Sequence, residues 1–231
     1  MKSKLFLLLF MIVFSSNYVQ AQSSSACGSK DGWHSLQKAN KSFIKNPKYI
    51  KQRKKTANGQ NPAYVVLSCS DSRTPPELIF NQGLGRIFCP RVAGNTAGDQ
   101  VVDSIAFAVA TWDVTTIVVM GHESCGAVEG AVDRLRVNGG VVDPDNGIFN
   151  AVLIPIERAI IDAGINVFAP NAVELATKAN VAYAANQLVL KSPIIASALA
   201  SGQIIIVGSV YSLSSGKAHQ LFVWSNCGIE P

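Results

Sequence analysis

The chain has 231 residues, of which 48% are hydrophobic and 15% charged, and its formal net charge is +5. That length and apolar content are enough for one domain with a substantial core. The charge does not imply a nucleic-acid partner: the one basic run, Lys45 to Lys55 with five lysines and one arginine, has no aromatic stacking platform and reads as a solvated helical face.

In chain order, Lys2 and Lys4 precede an apolar run, Leu5 to Phe14, and Val19-Gln20-Ala21 follows with small residues at the positions a signal peptidase reads. Residues 1–21 are therefore expected to be a secretory signal peptide. The run is short of the roughly 20 apolar residues a spanning helix needs, so no membrane partner is expected after cleavage. Cleavage removes two lysines and no acid, taking the charge from +5 to +3. Export, to the periplasm first and to the medium otherwise, means an oxidising compartment. A spacer over 22–31, one domain over 32–226 and a tail over 227–231 complete the organisation.

A helix is predicted around Trp33, Leu36, Phe43 and Ile44, and a turn over Asn58 to Pro62. Strands follow at Ala63–Ser68, Arg86–Cys89 and Val114–Met120, with a short helix from Pro76 to about Asn81 between the first two. Asp99–Thr111 and Cys125–Leu135 read as helices, and a loop rich in glycine and proline follows. Further helices are expected at Ala151–Ala163, at Ala172–Leu190 and from Pro193 to before Gly202. Ile204–Tyr211 and Ala218–Trp224 close as a hairpin around Ser214-Ser215-Gly216. Strands alternating with helices give the fold class: α/β, a mainly parallel central sheet with an antiparallel edge strand, flanked by helices.

Two clusters stand where strands end: Cys69-Ser70-Asp71-Ser72-Arg73, and His122-Glu123-Ser124-Cys125. In an open α/β sheet, ligands bind at the carboxyl ends of the strands. Two thiolates and an imidazole are a zinc-type donor set. His122 and Cys125 can ligate from a single turn, while Cys69 arrives from a neighbouring strand end. A structural zinc usually draws on two close pairs; here only one is close, which leaves a position for water, substrate or Asp71. Zinc on two thiolates and a neutral imidazole is formally neutral and a weaker Lewis acid than zinc on three histidines, so activity is expected at alkaline pH. Asp71, held by Arg73, is the candidate acceptor beside it. Of the other cysteines, Cys89 reads as a buried core thiol. Cys27 and Cys227 lie near termini that are often close in space, so they either form a disulfide or stand as unpaired thiols. His34 and His219 belong to no motif.

The segments Cys69 to Glu77, Arg91-Val92-Ala93-Gly94-Asn95 and Gly121 to Val128, with Gly208-Ser209-Val210-Tyr211 and Gly216-Lys217, resemble the β-class carbonic anhydrases over roughly residues 32 to 224. The resemblance implies reversible hydration of carbon dioxide to bicarbonate by zinc-bound hydroxide. It implies Cys69, His122 and Cys125 as ligands of one zinc per subunit, and Asp71 and Arg73 as a gating, catalytic pair. Gln60 matches a glutamine that helps bind bicarbonate, and Gly126 a position whose backbone lies beside the metal. The form of Arg91 to Asn95 resembles members without an extra regulatory bicarbonate site. Phe107 stands where many relatives carry tyrosine, keeping an apolar substrate wall without its hydroxyl. A homodimer or homotetramer is implied, with the region from Trp33 to Ile44 embracing a partner copy. Hydrolysis of a related heterocumulene such as carbon disulfide, and a non-enzymatic exported zinc-binding protein, are the alternatives.

Overall fold

The computed structural model describes residues 31–145 and 147–231. The signal-peptide reading, most of the spacer and Cys27 therefore lie outside the described residues. Contacts divide the chain into two units, one ending at Ile50 and one running Lys51–Pro231. The boundary falls inside the single domain expected over 32–226. In the first unit, α1 (Asp31–Lys45) is the predicted helix; it buries none of its side chains, and Trp33, Leu36 and Ile44 are exposed. The basic run lies largely on α2 (Pro47–Thr56), which starts on a proline and also buries none. Among the described residues, no helix is long and apolar enough to cross a membrane.

The strands are β1 (Tyr64–Cys69), β2 (Ile87–Phe88), β3 (Arg91–Val92), β4 (Thr116–His122), β5 (Ile205–Tyr211), β6 (Ala218–Ser225) and β7 (Gly228–Glu230). Their order is β2-β1-β4-β5-β6-β7, with β3 also on β1. β1 through β5 run parallel, and β6 and β7 are antiparallel. β1 is a near-continuous apolar run because both of its faces are covered, as parallel strands require. Two strand predictions needed correction. The strand expected over Arg86–Cys89 is only β2, and beyond Pro90 the chain pairs with β1 again as β3, which was not expected; Pro90 has no N–H to give, but its carbonyl accepts the Ser68 N–H at 3.2 Å. Residues 227–231, read as a tail, contain β7, so the antiparallel edge has two strands rather than one.

The helices α3 (Pro76–Ile79), α4 (Asp99–Thr111), α5 (Gly126–Val137), α6 (Asn150–Asp162), α7 (Ala172–Lys191) and α8 (Pro193–Ala200) lie within about two residues of their predicted bounds. Local chemistry sets α8: the Ser192 hydroxyl accepts the Ile195 N–H at 3.3 Å and Pro193 occupies the first turn. Valines and isoleucines of β1, β4 and β5 pack against α4, α7 and α8 in the main core. A second core joins Cys69 and Cys125 to the apolar faces of α5, α6 and the start of α7. α7 comes close to β4 because Gly121 has no side chain: a Cβ there would stand 2.9 Å from Val181 Cγ2 and 3.2 Å from Thr177 Cγ2.

Candidate metal centre

β1 and β4 are parallel neighbours, with Ser68 opposite Met120, so both predicted clusters leave the sheet at the same end, side by side. Ser124 turns the chain with φ 50°, and Cys125 then caps the N-terminus of α5. One donor atom from each of Cys69, His122 and Cys125 lies within 4.8 Å of the others, and all three residues are buried.

The donors fit a tetrahedral zinc. Sulfurs about 2.3 Å from such a centre stand about 3.8 Å apart, and the two Sγ atoms here are 3.9 Å apart. His122 Nδ1 is 2.8 Å from the Glu123 carbonyl, which can only accept, so Nδ1 carries the proton. Nε2 is left with its lone pair, buried and without a hydrogen-bond partner. An orphaned buried imidazole nitrogen facing two thiols fits a metal ligand. Cys69 Sγ also accepts the N–H groups of Asp71 at 3.4 Å and Gly94 at 3.3 Å. Hydrogen bonding from the Cys125 thiol, opposed by burial and helped by these amides, holds the Cys69 thiol down. Cys125, as the donor of that pair, is pushed up. A divalent cation would bind both as thiolates.

Asp71 stands beside the donors, with Oδ2 4.0 Å from His122 Nε2. Arg73 grips it by three bonds: its backbone N–H and Nε donate to Oδ1, both at 2.9 Å, and Nη2 donates to Oδ2 at 2.7 Å. Nη2 also donates to the Ser124 carbonyl at 3.3 Å, tying the loop after β1 to the loop after β4. The Arg73 side chain holds the Asp71 carboxyl well below the usual carboxylate range, against a smaller opposing effect of burial.

The structure separates the other predicted residues. Gly126 begins α5 directly after Cys125, with open space where its Cβ would be. Gln60 and Phe107, expected near the substrate, do not meet the cluster within the chain. Gln60 precedes β1, whereas Cys69 ends it, and a six-residue strand is roughly 20 Å long. Gln60 lines a cavity of about 600 Å³ with Lys55, Asn58 and Arg86. Phe107 is 57% exposed on α4, its ring edge-on to Trp112 at 5.5 Å. Cys89 is only half-buried, and Cys227 is exposed. Glu123 lies in the turn between β4 and α5, and its carboxylate accepts the Leu213 N–H at 2.9 Å and pins the β5–β6 connection.

Sequence reasoning missed the residues that hold the ligand loops. Arg91 donates to the Cys69 carbonyl at 3.0 Å and to the Asp71 carbonyl at 2.6 Å. The buried Thr74 hydroxyl donates to those two carbonyls, at 3.3 and 3.0 Å. Arg91 had a signal, being a charged residue next to a strand-breaking proline. Asn180, which reaches Gly94 from α7, had only its polarity on a mostly apolar helical stripe.

Comparison with known proteins agrees with this geometry. The carbonic anhydrase family model matches residues 64–218. "Carbonic anhydrase 2" of Mycobacterium tuberculosis is 33% identical over 195 residues, covering 80% of this chain and 89% of that protein. The solved structure of a Coccomyxa β-carbonic anhydrase, in complex with acetazolamide, superposes with a TM-score of 0.65 at 26% identity, covering 86% of this chain and 87% of that one. A β-carbonic anhydrase of Sordaria macrospora, described as tetrameric, shares the fold with a TM-score of 0.62 at 23% identity, over 92% of this chain and 96% of that one. By sequence and by fold, the chain belongs to the β-class carbonic anhydrases, enzymes that interconvert carbon dioxide and bicarbonate.

Proposed function

We propose that Cys69, His122 and Cys125 hold a zinc ion and that Asp71 and Arg73 serve the hydration of carbon dioxide beside it. The observation that carries this reading is the convergence of three buried zinc-type donors with a carboxylate that an arginine holds ionised. Zinc, when bound, would supply a Lewis acid that makes water a nucleophile, at alkaline pH because the two thiolates neutralise its charge. Asp71 Oδ2 is placed to accept a hydrogen bond from the attacking water and so to orient it toward carbon dioxide. Arg73 keeps Asp71 from turning inward to take the open coordination position itself. Gly126, with no side chain, leaves room for the apolar substrate beside Cys125. Neither carbon disulfide hydrolysis nor a non-enzymatic role finds support in the relatives.

Stopped-flow carbon dioxide hydration on the mature, zinc-replete protein from pH 7 to about 9, paired with metal analysis, tests the proposal. The expected result is activity with stoichiometric zinc, both lost in Cys69→Ser. A Cys69→Ser protein that keeps zinc and full activity would refute it.

We further propose that the chain is exported, with residues 1–21 removed, and works as a homodimer or homotetramer. The exposed apolar side chains of α1, Trp33, Leu36 and Ile44, support the second point. A second copy could then bring Gln60 and Phe107 to a substrate. N-terminal sequencing of protein from the periplasm or medium should begin after Ala21, and sedimentation should show no monomer at micromolar concentration. An intact Met1, or a lone monomer, would contradict the respective proposal.

A further inference from the structure

We infer that Asn180 is a positioning residue of the metal centre, fixing Gly94 so that its N–H bonds Cys69 Sγ. The inference rests on reading Cys69, His122 and Cys125 as metal ligands.

Asn180 is 1% exposed in the middle of α7. Its Nδ2 donates to the Gly94 carbonyl at 2.7 Å, across 86 residues of sequence. The next link is the Gly94 N–H, which donates to Cys69 Sγ at 3.3 Å. Gly94 sits at φ 67°, ψ 19° in a short turn whose N-cap makes no side-chain bond. A glycine has no side chain to restrict its backbone, so what surrounds it must do so. On one side Ile156 Cδ1 and Ala127 Cβ close in, 2.7 and 3.1 Å from where a Cβ would stand. From the other side Asn180 holds the carbonyl and with it the ψ of Gly94.

A purely structural role explains Asn180 poorly. The neighbouring buried positions of α7 are mostly apolar: Ala176, Val181, Ala184, Ala185 and Leu188. A buried amide there costs free energy unless it is bonded, and Asn180 Oδ1 has no partner. Among the described residues the side chain makes one hydrogen bond, from Nδ2, and it leads to the ligand loop. The close approach of α7 over Gly121, next to His122, is what lets so short a side chain reach. N–H groups bonded to a ligating sulfur orient it and disperse its charge, and such outer partners typically affect metal affinity by about 10–100-fold.

The test compares wild type with Asn180→Ala, Asn180→Leu and Thr177→Val. Thr177 packs on Gly121 one turn away, and its hydroxyl bonds only within the helix, to the Val173 carbonyl. Zinc affinity is read by chelator competition, and cobalt-substituted protein reports the thiolate-to-metal charge-transfer band. Both Asn180 variants should bind zinc roughly 10–100-fold more weakly and shift the cobalt band, while Thr177→Val keeps both wild-type values. If Asn180→Ala does not fold, Asn180→Leu, which keeps the branched shape without the amide, carries the comparison. Asn180 variants with wild-type affinity and band overturn the inference, whatever their melting temperature, and so does a Thr177→Val shift of equal size. A wild-type chain that binds neither metal overturns the metal-centre reading itself, a result distinct from either of these.

Discussion

Glu157 is fully buried on α6, and Arg134 on α5 has 13% of its side chain exposed. Their pairing is bidentate: Arg134 Nε bonds Oε1, and Nη2 donates to Oε2 at 2.9 Å, while Nη1 donates to Asn150 Oδ1 at 2.8 Å. Glu157→Ala removes the anion and leaves the guanidinium with little water to replace it. Breaking a buried pair in this way costs about 3–5 kcal/mol. At roughly 2–4 °C per kcal/mol for a domain of this size, melting should fall by about 6–20 °C. The centre should feel this as well, because the residue before Glu157 is Ile156, which backs Gly94. Arg134→Met with Glu157→Leu removes both charges and fills the volume, so the double variant should recover most of the loss or exceed wild type. Differential scanning calorimetry of the three proteins decides the matter. A single variant melting within about 2 °C of wild type, or a double variant as unstable as the single, would show that the pair is not a buried charge problem at all.

Asp71 has a lower pKa folded than unfolded, so its ion pair stabilises the fold fully above the ordinary value of 3.8 and loses that contribution as pH falls below it. The stability difference between wild type and Asp71→Asn should therefore be flat from about pH 5 to 9 and shrink only in stronger acid; a difference that fades near pH 6 would contradict the geometry. Gly94→Ala places a Cβ at φ 67° and 2.7 Å from Ile156 Cδ1, which should cost about 1–3 kcal/mol and weaken zinc binding. Unchanged melting and unchanged affinity would refute that reasoning. Non-reducing peptide mapping of exported protein decides between the two states open to Cys27 and Cys227: a linked pair, or two alkylated thiols.

What was legible in the sequence was whatever local chemistry determines. His122 and Cys125 are three residues apart, and the apolar runs before Cys69 and His122 mark strand ends; in a parallel sheet those ends lie on one side. The helices were readable because apolar periodicity and caps such as Ser192-Pro193 act within a few residues. Gln60 and Phe107 show the limit. Their expected roles came from likeness to a family, and neither spacing nor periodicity says where a loop before one strand lies relative to the end of another. β7 was hidden for a related reason: Gly228 to Glu230 are all exposed, and a short edge strand needs no apolar alternation to pair with its neighbour.

The ligand loops also show why so much of the centre is supported from outside its motifs. Cys69 to Arg73 leaves the sheet and has no ladder partner for most of its carbonyls, so other groups must meet them. Arg91 and Thr74 each reach both the Cys69 and the Asp71 carbonyl, and Asp71 itself is held through its side chain by Arg73. These supports come from β3, from the loop itself and from α7 by way of Gly94. A ligand loop fixed from three directions holds Cys69 Sγ 3.9 Å from Cys125 Sγ, the spacing of two sulfurs on one tetrahedral zinc. Such preorganisation lets an open metal site hold its geometry while one coordination position exchanges water, substrate and product.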